Sequence, residues 1–113
     1  MECAECDVFE YIMNNGLMSM EVSLSVFVQI LNAVAYCHKN QVAHSDIKLE
    51  NILLSNGSAK LVDFGFAKFS DIVAESQEFC GTLPYAAPEV IQGLEYNTMK
   101  TDMWAMGVVL YAL

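Results

Sequence analysis

No stretch constrains this chain more than His44–Gly65, which reads H-S-D-I-K-L-E-N-I-L-L-S-N-G-S-A-K-L-V-D-F-G. The apolar run Ile52-Leu53-Leu54 and the later Lys60-Leu61-Val62 flank Ser55-Asn56-Gly57-Ser58. The Asn-Gly step supplies the left-handed residues of a tight turn, so the spacing predicts a hairpin. Such a hairpin holds two loops side by side, one with Asp46, Lys48 and Asn51, the other with Asp63-Phe64-Gly65. One carboxylate to accept a proton, with a second carboxylate and an Asn oxygen to hold Mg²⁺, suits phosphoryl transfer to a hydroxyl. The competing reading of Asp46 and Asp63 is a pair of loop acids that cap turns.

These residues resemble the eukaryotic protein kinases, whose catalytic loop H-R-D-x-x-x-x-N is followed at this spacing by D-F-G. One position departs: Ser45 stands where the family has Arg. Gly81-Thr82-Leu83-Pro84-Tyr85-Ala86-Ala87-Pro88-Glu89 resembles the end of an activation loop at A-P-E. Asp63-Phe64-Gly65-Phe66-Ala67-Lys68, Phe79-Cys80-Gly81 and Tyr85-Ala86-Ala87 are most similar to the testis-specific serine/threonine kinases of the calmodulin-kinase-like group. The resemblance implies an α+β, protein kinase-like fold: a mainly helical large lobe with a small β-hairpin. It makes residues 1–113 a partial kinase domain, from the hinge to the central helix of the large lobe. It also implies serine/threonine kinase activity with ATP and Mg²⁺ as cofactors and a protein substrate.

The same resemblance assigns roles. Asp46 becomes the hydroxyl-orienting base, Lys48 neutralises the transferred phosphoryl group, and Asn51 and Asp63 are the Mg²⁺ ligands. Thr82 bonds Asp46 and Lys48. Backbone groups near Glu2 and Ala4 meet adenine, Asp7 reaches the ribose, and Leu53 lies under the adenine. The segment around Asp7 is one residue shorter than the family pattern. His44 is structural, stacked near Phe64. Asp102 holds the catalytic-loop backbone, against a competing reading as a helix N-cap. Glu50 either meets a basic substrate side chain or is an ordinary solvated acid.

The rest of the chain bounds these expectations. The 113 residues, 55% of them hydrophobic, suffice for one domain with a core. No apolar run is expected to reach membrane-spanning length. Net charge is −9 and arginine is absent, which disfavours nucleic acid and acidic membranes and favours a basic peptide. The four cysteines are scattered, which points to a reduced intracellular setting, expected to be the cytoplasm. Cys3-x-x-Cys6 could begin a zinc site, but Cys37, His38 and Cys80 are the remaining partners and no second Cys-x-x-Cys exists. Small side chains beside a nucleotide cleft are the preferred reading. Nothing in the sequence sets an oligomeric state.

Asn14-Asn15-Gly16 is expected to break a first helix, and Ser19 to cap a second that runs to about Lys39. Val26, Phe27, Ile30, Leu31, Val34 and Cys37 form its buried stripe. Asp63 to Glu89 reads as a long functional loop, and Thr101 to Tyr111 as a buried helix. Glu89, with no arginine to pair it, should be exposed or its region loose. Glu78 occupies the place of the family's phosphorylated Thr, two residues before Cys80; with Ser45 it predicts a loop that phosphorylation at that point does not switch, against an equal reading of both departures as drift at tolerant loop positions. Ser76 is the remaining acceptor nearby. No G-x-G-x-x-G occurs, nor the strand Lys that accompanies it in the family. The chain is therefore expected to be either part of a kinase, with little activity by itself, or a non-catalytic, pseudokinase-like protein-binding module. An unrelated Mg²⁺- or zinc-binding protein ranks last.

Overall fold

The computed structural model describes residues 6–69, 75–76 and 81–113. Strand β1 (Cys6–Asp7) runs directly into helix α1 (Val8–Asn15). Asp7 makes that junction: its backbone is extended, and its Oδ1 accepts the Glu10 amide at 2.7 Å, which satisfies one donor of the first turn. At the other end Gly16 takes φ 80° and donates its amide to the Ile12 carbonyl, so the helix stops where Asn-Asn-Gly predicted.

Helix α2 (Met20–Lys39) is capped by Ser19, whose hydroxyl accepts the Val22 amide at 3.3 Å. Ser23, Val26, Ile30 and Val34 are buried at helical spacing, with Phe27 and Leu31 packed beside them. One expectation is corrected here. By length and composition α2 is apolar enough to cross a membrane, with mean hydropathy 1.5. Serines, Gln29 and Asn32 interrupt any continuous run, but small and β-branched apolar residues keep the mean high. The helix lays its stripe against the hairpin and the last helix, as a core helix does.

After β2 (Val42–Ala43), a 3₁₀ turn (Leu49–Asn51) leads into β3 (Ile52–Ser55) and β4 (Ser58–Leu61). Their register pairs Ser55 with Ser58 and Ile52 with Leu61. The turn residues Asn56 and Gly57 both have positive φ, 48° and 79°, as a two-residue hairpin turn requires. The hairpin is not isolated, because β1 adds to β3 and completes a three-stranded antiparallel sheet, β1-β3-β4.

The segment expected to be one long loop is punctuated. It contains β5 (Lys68–Phe69), paired with β2, and β6 (Glu75–Ser76), followed by a 3₁₀ turn (Leu83–Tyr85) and α3 (Pro88–Ile91). Strand β7 (Tyr96–Asn97) pairs with β6 and precedes α4 (Thr98–Ala112). Helix α4 begins earlier than the sequence suggested, because the Asn97 side chain accepts the Met99 and Lys100 amides. The N-cap reading of Asp102 is thereby excluded. Val8, Val26, Ile30, Val34, Ile47, Leu49, Ile52, Ala105, Met106 and Val109 form one core among α1, α2, the segment from β2 to β3 and α4. The fold is a mixture of helix and small antiparallel sheets, broader than the single hairpin expected.

Candidate active site

The segment between β2 and β3 turns sharply, with Ser45 at φ 71°, and three side chains hold it there. Asp102, 2% exposed in α4, accepts the His44 amide at 2.8 Å on Oδ2 and the Ser45 amide at 2.9 Å on Oδ1. The carboxylate thus spans two backbone donors that no ladder satisfies. His38, at the end of α2, joins the same Oδ2 through Nε2 at 2.8 Å. His44 is the third group. Its Nε2 faces the Val62 carbonyl at 2.8 Å and must donate, while its Nδ1 accepts the Asp46 amide at 3.1 Å. With both ring nitrogens engaged and Phe64 edge-on at 4.7 Å, His44 is a brace between the two loops and not a base.

Asp46 projects from this braced turn and is 6% exposed. Its Oδ1 accepts the Thr82 hydroxyl at 3.0 Å, and its Oδ2 lies 3.5 Å from Lys48 Nζ. Lys48 in turn donates to Thr82 Oγ1 at 2.8 Å. The threonine hydroxyl therefore receives from the ammonium and gives to the carboxylate, which ties the segment after Gly81 to the loop of Asp46. Gly81 is what permits the approach: at φ 121°, a Cβ there would sit 2.8 Å from the Ser45 carbonyl oxygen. Asn51 commits its amide nitrogen to Asp46, at 2.8 Å to the backbone carbonyl and 3.3 Å to Oδ2. That leaves its oxygen as the atom to meet a cation.

Asp63 is delivered by the hairpin. Val62 donates to the Asn51 carbonyl at 2.9 Å, so the residue after Val62 emerges beside Asn51. Asp63 is exposed, has φ 61°, and accepts the Gly65 amide on Oδ1 at 3.2 Å. An Asn oxygen and a carboxylate form an all-oxygen donor set, which fits Mg²⁺ better than softer metals. Asp7 and Leu53, expected near ribose and adenine, lie directly opposite each other in the β1–β3 pair. Asp7 also serves as the cap of α1, a role the sequence reading missed. Glu2 and Ala4, and with them Cys3, Glu78 and Cys80, lie outside the described residues.

Two further residues escaped the sequence reading. His38 entered the sequence reading only as a candidate zinc partner at the end of a helix, since its partner Asp102 is 64 positions away. Tyr85 accepts the Leu49 amide at 3.4 Å, and burial pushes its phenol pKa up, with Glu50 adding to the rise and the Leu49 bond opposing it. Glu89 is half-buried in the first turn of α3, a position where helix amides favour an acid. Ser45 Oγ is buried without a hydrogen-bond partner among the described residues, and Ser45 lines a cavity of about 40 Å³ with Asp46, Thr82 and Tyr85.

A sequence model described as the protein kinase domain matches residues 1–113. The chain is 47% identical to the testis-specific serine/threonine-protein kinase 3 of Mus musculus, a match that covers all of this chain and 43% of that protein. It is 46% identical to the serine/threonine-protein kinase SIK1 of Mus musculus and 44% identical to SIK2 of Gallus gallus, each over 95% of this chain and 14% of the relative. The chain thus spans less than half the length of these curated relatives. Protein kinases as a family use ATP and a divalent metal and act on proteins. With the kinase-domain model matching residues 1–113 and a relative 47% identical over the whole chain, this chain belongs to the protein kinase family.

Proposed function

We propose that this chain carries part of the active site of a serine/threonine protein kinase that transfers the γ-phosphoryl group of ATP to a protein hydroxyl. One observation carries the reading: Asp46, Thr82 and Lys48 are mutually bonded, with Asn51 bonded to Asp46. Asp46 would take the proton of the attacking hydroxyl. Lys48 would offset charge on the moving phosphoryl group, and Thr82 would keep both aligned. Asn51 and Asp63 would hold Mg²⁺, and Asp7 and Leu53 would face the nucleoside. The bound Mg²⁺–ATP supplies the phosphoryl donor and a concentrated positive charge. The acidic chain, net −9, suits substrates with basic residues near the target, and Glu50 is a candidate contact for them. An intracellular, cytoplasmic setting belongs to the same reading, as the compartment where ATP is abundant.

The test uses this chain fused to the ATP-covering small lobe of the mouse testis-specific relative. Asp63→Asn should weaken Mg²⁺-dependent nucleotide binding. Asp46→Asn should spare binding and lower turnover by about 10²-fold or more, the range for a lost general base. Equal loss of nucleotide affinity in both variants would contradict these roles. A protein-binding module without turnover is the second reading, motivated by Ser45 where the family's catalytic loop has Arg. It would be favoured if the fused protein folds, binds nucleotide and transfers nothing.

A further inference from the structure

We propose that Gln29 of α2 is a positioning residue for the metal-binding end of the site, acting through the β3–β4 hairpin; the inference rests on the kinase reading above. Strand β4 is an edge of its sheet, with β3 on one side. An edge strand leaves amides and carbonyls that need partners. Gln29 supplies them from a helix. Its Oε1 accepts the Ala59 amide at 2.9 Å, and its Nε2 reaches the Gly57 carbonyl at 3.5 Å. The second proton of Nε2 goes to Ser25 Oγ, at 3.3 Å and one turn earlier in α2, and this fixes which way the carboxamide faces. A single side chain thus offers the hairpin a donor and an acceptor, as a neighbouring strand would.

The consequence lies at the hairpin's other end. Four residue pairs, from Ser55–Ser58 to Ile52–Leu61, connect the clamped turn to Asn51 and Val62, and Asp63 follows. The Val62–Asn51 backbone bond continues that ladder. Asp63 is exposed and in the left-handed region, so its own side-chain contacts restrain it little. The tilt of the hairpin on α2 therefore sets where Asp63 sits relative to Asn51 and Asp46, which are buried and braced separately through Asp102 and His44. Gln29 is the polar link between α2 and that tilt, whereas Val26 and Ile30 supply apolar packing without direction.

The experiment is a titration of the 113-residue chain with Mn²⁺ in place of Mg²⁺. It follows paramagnetic broadening at the Asn51 side-chain amide and the Phe64 and Gly65 backbone amides, with Asp63→Asn as control. Gln29→Ala should raise the Mn²⁺ midpoint by roughly threefold to tenfold, at or below the effect of groups that orient metal ligands directly. It should also shift the Val62–Gly65 amide resonances at temperatures where the chain remains folded. Gln29→Glu keeps the acceptor for Ala59 and loses the donor to Gly57, so its midpoint should fall between the other two. An unchanged midpoint in Gln29→Ala, with a lowered unfolding temperature, would reduce Gln29 to a stabilising contact and overturn the inference. Absence of broadening in the parent chain would sink the metal assignment instead. In that case unmoved Val62–Gly65 resonances in Gln29→Ala would overturn the coupling independently, and shifted ones would sustain it.

Discussion

At the scale of single residues, the site depends on close approaches that tolerate few replacements. Asp102 accepts from two backbone amides and faces His38 Nε2, all within 2.9 Å. Asp102→Asn keeps the shape but turns an NH₂ toward a donor, and a buried donor without an acceptor is costly. We expect a loss of about 3 kcal/mol in urea unfolding, with the His44 and Ser45 amides losing hydrogen-exchange protection first. Gly81→Ala meets both a positive φ and the Ser45 carbonyl oxygen at 2.8 Å. It should displace the Thr82 hydroxyl from Asp46, which a shifted Thr82 resonance would report. Tyr85 adds a pH term. Its phenol ionises at higher pH in the folded chain than in the unfolded one. The stability it contributes is therefore complete below the ordinary phenol value and is lost as pH rises through the folded value. Stability should decline above about pH 10, and Tyr85→Phe should flatten that decline in a pH series of unfolding curves.

At the scale of elements, the hairpin and α2 carry the arrangement. Gly57 has φ 79° with open space where a Cβ would stand. Gly57→Ala should accordingly cost about 1 kcal/mol of backbone strain with no clash, measurable as a lower denaturation midpoint at unchanged slope. Much of this level was legible in the sequence. Asn-Gly between apolar runs marks a turn, and Ser19 ahead of a periodic stripe marks a helix start, because both signals act over a few neighbouring residues. The pairing of β2 with β5, and of β1 with β3, was not legible. Two-residue strands have too little pattern to be read, and their partners are set by how helices deliver them.

For the whole molecule, one core joins α1, α2 and α4, and Ile30 at its centre is 0% exposed. Ile30→Ala should destabilise by about 3 kcal/mol, since methylenes are lost and a cavity remains, and calorimetry would show the shift. The outer face of α4 is different: Met103, Trp104, Leu110 and Tyr111 are exposed, Tyr111 at 93%. Trp104 is the chain's one tryptophan, so its emission should be red-shifted and readily quenched by acrylamide. A blue-shifted, unquenchable signal would show that this face is covered in solution. The 113-residue polypeptide alone should show no measurable transfer of labelled phosphate from ATP to a basic serine peptide. A reaction that depends on positioning lacks here the glycine-rich loop and strand lysine that cover the phosphates.

Residue types and short spacings in the sequence determined the chemistry on offer: Asp46, Lys48 and Asn51 in one loop, Asp63 after a tight hairpin, and Thr82 in a later segment. They also determined the helix caps and the core stripe of α2, because hydrogen bonding at a helix end and apolar periodicity are local. Tertiary structure decided which of these groups meet. Thr82 reaches Asp46 and Lys48 from 36 and 34 positions away, and Asp102 reaches His44 from 58. Gln29 grips a hairpin 28 and 30 positions further on. Such contacts leave no mark in local sequence, since each is a single polar pair whose distance is set by the packing of α2 and α4. Packing decided between the two readings of Asp102: it holds the turn at His44 and Ser45 and does not cap a helix.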